Sequence, residues 1–393
     1  MSLYSSKTLW LTAALTLAGC GGGSSSSEKQ VSSGDDSPPI NATPEVPQTP
    51  EQEPRNTYEP EDGKVLFFIG QDNEGVGGNQ NIEAPQEKWS GYLNTEAPKA
   101  AGITSYISLV DSSSNPSANV PQGKMIAGLF NKTNYGAGPV CLQCYLDSPD
   151  IDWSDTLVHL SIWYADGSAG DIAQGERDHI IAELAEFLAI YPNIKFFIRP
   201  GYEFEFQYQQ QGVSSQDYIG AFQRIVSGLR EAGVGNFVSV YSGASAFTSI
   251  DNWQQYYPGD DYVDWLGYSF FEANTNPTTQ AGGLAFAQQA QKPVMIAEAC
   301  LHDVAINQAN GEDVWNEYFV SLLQHIGDHP ETIKALAYIN TDWRAHSLWQ
   351  TNPYWDGTDS RIQNSDYILQ QFQSSFSTAQ FLTADDDVYD ALN

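Results

Sequence analysis

The stretch IKFFIRPGYEFEF, residues 194–206, starts as an apolar run interrupted only by Lys195 and leads into an arginine and two glutamates, Glu203 and Glu205. Such a run, without alternation, reads as a strand covered on both faces, as in parallel sheets. Eight more runs share the texture: KVLFFIG (64–70), GITSYISL (102–109), KMIAGLF (124–130), LVHLSIWY (157–164), FVSVYSG (237–243), YVDWLGYSF (262–270), PVMIAEA (293–299) and IKALAYIN (333–340). Amphipathic patterns lie between them. Ile180, Ile181, Leu184, Phe187 and Leu188 share one face of 176–191, and Tyr218, Ile219, Phe222, Ile225, Val226 and Leu229 share one face of 216–232. Val314, Trp315, Tyr318, Phe319, Leu322 and Leu323 repeat the pattern in 314–326. Roughly eight such strands alternating with helices predict an α/β protein with a (β/α)8 TIM barrel and loop insertions. A doubly wound open sheet is the other arrangement. It would place a phosphate-binding turn after the first strand, but GQDNEGVGGNQN (70–81) lacks the GxGxxG spacing.

The barrel does not use the whole chain. Lys7 followed by LWLTAALTLAG makes residues 1–19 a secretory signal, too short to span a membrane as a helix. The signal ends in LAGC, which resembles the bacterial lipobox and implies lipidation of Cys20. Gly21 after the cysteine points, by the same resemblance, to an outer-membrane lipoprotein of the cell envelope. Residues 20–62 are dominated by Gly, Ser, Pro and acids, a composition that cannot bury enough surface to offset its ordering entropy. They are expected to be a flexible linker whose removal leaves stability nearly unchanged, with the catalytic domain covering 63–393.

The net charge is −32, from 49 acidic and 17 basic residues, which weighs strongly against a nucleic-acid partner, since phosphate binding needs clustered Lys and Arg. With Cys20 lipidated, Cys141, Cys144 and Cys300 remain. CLQC has no second CxxC to complete a zinc site, so in an exported chain a loop disulfide between Cys141 and Cys144 is expected. The six histidines are scattered and no HExxH occurs, so neither a metal nor a cofactor is expected. His159, in mid-strand, reads as a core residue. A monomer is expected.

Barrel chemistry sits at the C-terminal ends of the strands. Here those ends carry acids and aromatics: Asp72; Trp163, Tyr164 and Asp166; Arg199, Tyr202, Glu203 and Glu205; Tyr268, Phe271 and Glu272; Glu298; and Asp342 and Trp343. Glu298 closes the apolar run VMIA, where a charge either faces the barrel mouth or pairs with a buried arginine. Two glutamates at one mouth, Glu203 and Glu298, meet the requirement of glycosidic bond cleavage. One protonates the leaving oxygen; the other attacks the anomeric carbon or activates water. The ten tryptophans and 21 tyrosines suit stacking against sugar rings.

At these residues the chain resembles glycoside hydrolase family 26, a member of the retaining clan A of (β/α)8 barrels. IRPGYEFE is similar to the family's RPxHEMNG stretch and KPVMIAEA to its strand 7 segment; DIAQGERDHII (171–181) before strand 4, YYPGDDYVDWLGYSFF (256–271) around strand 6 and LAYINTDW (336–343) at strand 8 agree with it. The resemblance implies a β-mannanase-like, endo-acting enzyme, with Glu203 as acid/base and Glu298 as nucleophile of a double displacement. It also implies that Trp343 floors the sugar at the cleavage point, packing at the rim being its other reading. Three positions depart from the family. Tyr202 stands where it has His, Glu205 where it has Asn, and Phe271 where a Tyr bonds the nucleophile, with Tyr268 a possible substitute. These departures put mannan in question and admit an agar- or carrageenan-type galactan or a β-1,3-xylan. Arg199 would hold one carboxylate ionised or form a core ion pair. Glu205 would be a subsite ligand or an ion-pair partner. Tyr202, Trp163 and Trp349 are further sugar-contact candidates. A non-catalytic surface glycan-binding lipoprotein is the alternative of another class.

Overall fold

The computed structural model describes residues 57–77, 91–148, 156–164, 167–244, 250–271, 277–384 and 387–392. The signal segment, Cys20 and the linker up to Asn56 lie outside the described residues, as do Asp166 and Glu272.

Eight parallel strands close into a barrel: β1 (Val65–Gly70), β2 (Gly102–Ser108), β3 (Leu157–Trp163), β4 (Lys195–Pro200), β5 (Phe237–Gly243), β6 (Trp265–Phe270), β7 (Val294–Ala299) and β8 (Ile333–Ile339). Pairing of β8 with β1, Leu66 opposite Ala335 through Gly70 opposite Ile339, closes the ring. Around it lie the expected helices. Asp178–Ile190 buries Ile180, Ile181, Leu184, Phe187 and Leu188 against the strands. Ser215–Glu231 buries Tyr218, Phe222, Ile225, Val226 and Leu229, and Ser214 caps its start by accepting from the Asp217 N–H at 3.1 Å. The third predicted helix is broken by a π-turn, Trp315–Phe319, between Gly311–Val314 and Val320–Gly327.

One predicted strand is absent. Residues 124–130 form turns rather than a strand. Their backbone N–H groups bond a side chain instead: Met125 and Ile126 donate to the buried Glu183 carboxylate at 2.8 and 2.7 Å. Gly123 and Gly128 take positive φ, 82° and 87°, turning the chain on both sides of this contact. Downstream, Cys141 and Cys144 are joined by a disulfide, and Cys300 is free and buried.

The barrel interior is layered. At the N-terminal end Phe68, Phe197 and Trp265 pack edge to face, with centroids 5.4 and 5.2 Å apart. Above them His159 is fully buried with Nδ1 3.3 Å from the Thr104 hydroxyl. Higher still lies Arg199, fully buried and donating to Ser242 Oγ at 2.6 Å and Ser161 Oγ at 3.3 Å.

The N-terminal end of the barrel is sealed by residues that composition assigned to the linker. Tyr58 is buried against Phe197 at 6.0 Å, and Trp265 donates its indole N–H to the Thr57 carbonyl at 2.6 Å. Asp62 accepts from Lys334, whose side chain is 1% exposed. The packed unit therefore begins before Gly63: a single tyrosine and a counter-ion dock a segment whose overall composition is that of a tether. Tyr58→Ala should cost about 3 kcal/mol, as for other buried aromatics cut to alanine. The melting temperature should then fall by about 4 °C in a thermal unfolding scan, the shift expected for a domain of this size. An unchanged midpoint would show that 57–62 do not hold the barrel.

Candidate active site

Two backbone irregularities aim the two glutamates. In β7, Met295 and Ala297 point into the barrel while Val294 and Ile296 face the helices. Strict alternation would send residue 298 outward. The register prevents this: Ile296 pairs with Tyr268, but Glu298 pairs with Ser269, so β7 carries one extra residue here. The same extra residue appears against β8, between the Leu336–Ile296 and Tyr338–Ala299 pairs. A bulge of this kind re-aims a side chain, and Glu298 turns into the mouth. There it accepts from Arg199 Nη1 at 2.8 Å, an ion pair buried on both sides.

Glu203 follows β4. The chain leaves the strand through Gly201 at φ 58° and Glu203 itself at φ 52°. A left-handed glutamate is strained, and such strain concentrates at functional sites. The turn places the Glu203 carboxyl 3.1 Å from the Ser269 hydroxyl, which donates to it. Ser269 is the register partner of Glu298, and neighbouring strands lie roughly 4.8 Å apart. The serine thus brings the two carboxyls to one site. Burial pushes the Glu203 carboxyl up, the charge of Glu298 pushes it further, and the result lies at about 8 against the pull of Arg199.

The two glutamates of the opening stretch part company here. Glu205 starts the helix Phe204–Gln211, is buried, and accepts from the Ala244 N–H at 2.7 Å just past β5. A Cβ at Gly243 would lie 2.7 Å from its Oε1, so only glycine leaves room. Glu205 ties the β4 loop to the end of β5.

Several expected sugar contacts are corrected. Tyr268 alternates outward, is buried against the helices, and its hydroxyl lies 2.7 Å from His325 Nε2, so it cannot reach Glu298. Arg199 is fully buried and serves Glu298 rather than substrate. Trp343 is 2% exposed; Trp355 stacks on it with centroids 4.0 Å apart, and its indole N–H donates to Ser360 Oγ at 3.2 Å. Trp349 packs edgewise on Trp343 at 5.1 Å and stays half-buried. Tyr202 and Trp163 remain at the rim, half-buried and 5.1 Å apart, with the Arg199 guanidinium 4.8 Å from the Tyr202 ring.

Three residues escaped the sequence reading. Ser269 could have been found by counting inward positions along β6. Tyr106, two residues before the end of β2, has its ring 5.5 Å from Tyr202 and a buried hydroxyl without a hydrogen-bond partner among the described residues. Trp355 sits in the loop after β8, where no periodicity marks it. Asp72, at the end of β1, caps the following turn by accepting from the Glu74 and Gly75 N–H groups at 2.8 Å.

The sequence profile of glycosyl hydrolase family 26 matches residues 169–319, the span that carries Glu203 and Glu298. The chain is glycoside hydrolase family 26-like. This family 26-like chain is 24% identical over 348 residues to a β-1,3-xylanase from an Alcaligenes species, covering 83% of itself and 66% of that protein. It is 24% identical over 354 residues to a β-1,3-xylanase from a Vibrio species, covering 84% and 68%. It therefore spans about two thirds of the length of these curated relatives. A family 26 β-mannanase from Bacteroides ovatus shares its fold, with a TM-score of 0.56 at 14% identity, over 83% of this chain and 93% of that one.

Proposed function

We propose that the chain is a retaining glycoside hydrolase that cleaves a β-linked polysaccharide by double displacement, with β-1,3-xylan as its substrate. The observation that carries this is the carboxyl pair held in unlike states around Ser269. Glu298 is ion-paired to the buried Arg199, and Glu203 is pushed toward its neutral form. A carboxylate with a fixed cation beside a carboxylic acid matches the division of labour between nucleophile and proton donor. Glu298 attacks the anomeric carbon as Glu203 gives its proton to the departing oxygen. Glu203 then takes a proton from the water that breaks the glycosyl–enzyme ester. Direct attack needs the two carboxyls about 5–5.5 Å apart, and a water-activating pair about 6.5–9.5 Å.

The substrate reading rests on the two curated relatives, both β-1,3-xylanases. Mannan is the second reading, from the motif resemblance; Tyr202, at the rim, and Phe271 weigh against it. The purified chain incubated with β-1,3-xylan, β-1,4-mannan, agar and carrageenan tests both. Reducing ends should appear with β-1,3-xylan, and NMR of the first product should show the β-anomer. An α first product would mean inversion. Cleavage of another glycan alone would reassign the substrate, and binding without cleavage would restore the non-catalytic alternative.

A further inference from the structure

We propose that Tyr354, His302 and the outer face of Trp355 form a sugar-binding ledge over the β7–β8 rim, which holds units of the glycan chain beyond the cleavage point. The inference rests on the hydrolase reading above.

Trp355 contacts the ends of both flanking strands: it stacks on Trp343 after β8 and meets Phe271 after β6 edge to face at 5.0 Å. It thus lies across the end of β7, where Glu298 sits. His302, just past β7, lies 5.9 Å from the Trp355 ring and 5.7 Å from the Tyr354 ring. His302 thus touches both other rings, and Tyr354 is 61% exposed.

An exposed tyrosine is ordinary on a mobile loop, where it has no fixed direction. This one is held. The Tyr354 carbonyl accepts from the Asp303 N–H at 3.1 Å and from the Thr358 hydroxyl at 3.3 Å, and its own N–H donates to Asn352 Oδ1 at 3.0 Å. Asp303 takes φ 54° at this crossing of the two loops. Three bonds to one residue's backbone keep a large apolar ring in water, which folding alone does not favour. A preorganised platform needs such bracing, because a ring fixed before binding loses little entropy on binding. The ligand follows from continuity with the mouth: Trp355 touches residues just past β6, β7 and β8, around the end of the Glu298 strand, so a polysaccharide cleaved there passes beside these rings. Stacking on one aromatic ring is worth about tenfold in affinity.

The test compares Tyr354→Ala and Tyr354→Phe with the unaltered chain on β-1,3-xylotriose and β-1,3-xylohexaose. Tyr354→Ala should lower kcat/KM on the hexaose about tenfold and on the triose by much less, mainly through KM. Tyr354→Phe, which keeps the ring, should stay within about twofold on both. Equal losses on both lengths, or no loss on the hexaose, would overturn the ledge. An unaltered chain that cleaves neither oligosaccharide refutes the xylan reading, and β-1,4-mannotriose and mannohexaose then serve as the length pair. Inactivity on both series overturns the ledge together with the hydrolase reading.

Discussion

Glu298→Ala should lower kcat on the natural glycan by on the order of 10⁴- to 10⁶-fold, the range seen when a nucleophile is removed. Azide should rescue it, occupying the space of the lost carboxylate and attacking the anomeric carbon once. The product should be a glycosyl azide of inverted configuration, because only the first of two displacements takes place. The variant also strands Arg199. Removing one partner of a buried ion pair costs about 3–5 kcal/mol, since the other charge stays out of water. Arg199 keeps Ser242 and Ser161 as partners but loses its anion. Glu298→Gln, which keeps volume and an acceptor oxygen, should be as inactive with a smaller loss of stability. Full activity in either variant, or an azide product of retained configuration, would remove Glu298 as nucleophile.

Glu203→Ala should cost about 10²- to 10⁴-fold on the natural glycan, the contribution of one positioned proton donor. On a substrate with a good leaving group, such as a dinitrophenyl glycoside, the first step should be nearly spared, since little protonation is needed. Azide should then speed the second step and give the retained product. The pH profile supplies an independent reading. A carboxyl raised to about 8 stays protonated below that pH, so kcat/KM should hold through neutrality and fall as pH rises through about 8. That limb should vanish in Glu203→Ala with the activated substrate. A limb that survives the substitution would assign the titration, and the proton donor, to another group.

The barrel was legible because parallel strands buried on both faces read as continuous apolar runs, and these runs recur with helices of period 3.6 between them. The one false strand, 124–130, has the same apolar texture. Its backbone groups are satisfied by Glu183, a residue 57–58 positions away, and no local pattern carries that pairing. The position of Glu203 and Glu298 at strand ends was legible for the complementary reason: a charge at the end of an apolar strand has few uses except at the mouth of a barrel.

Directions were not legible. Sequence period alone points Glu298 outward with Ile296; the extra residue in β7 reverses this, and a bulge exists only between paired strands. The same period sends Tyr268 to the helices, where its hydroxyl meets His325. Trp343 is at the strand end that the resemblance marks, but a tryptophan twelve residues later covers it, and loop packing decides which indole faces the sugar. Residues 57–62 have the composition of a tether, yet they seal the barrel floor through Tyr58 and Asp62.

What this sequence determined by itself was the kind of layer each segment builds and the chemical groups available where strands end, since both follow from local pattern and composition. Only the tertiary structure decided which of those groups share one site and which side chain covers another. Those relations depend on register, backbone turns and contacts between residues tens to hundreds of positions apart, and none of these is encoded in any single stretch.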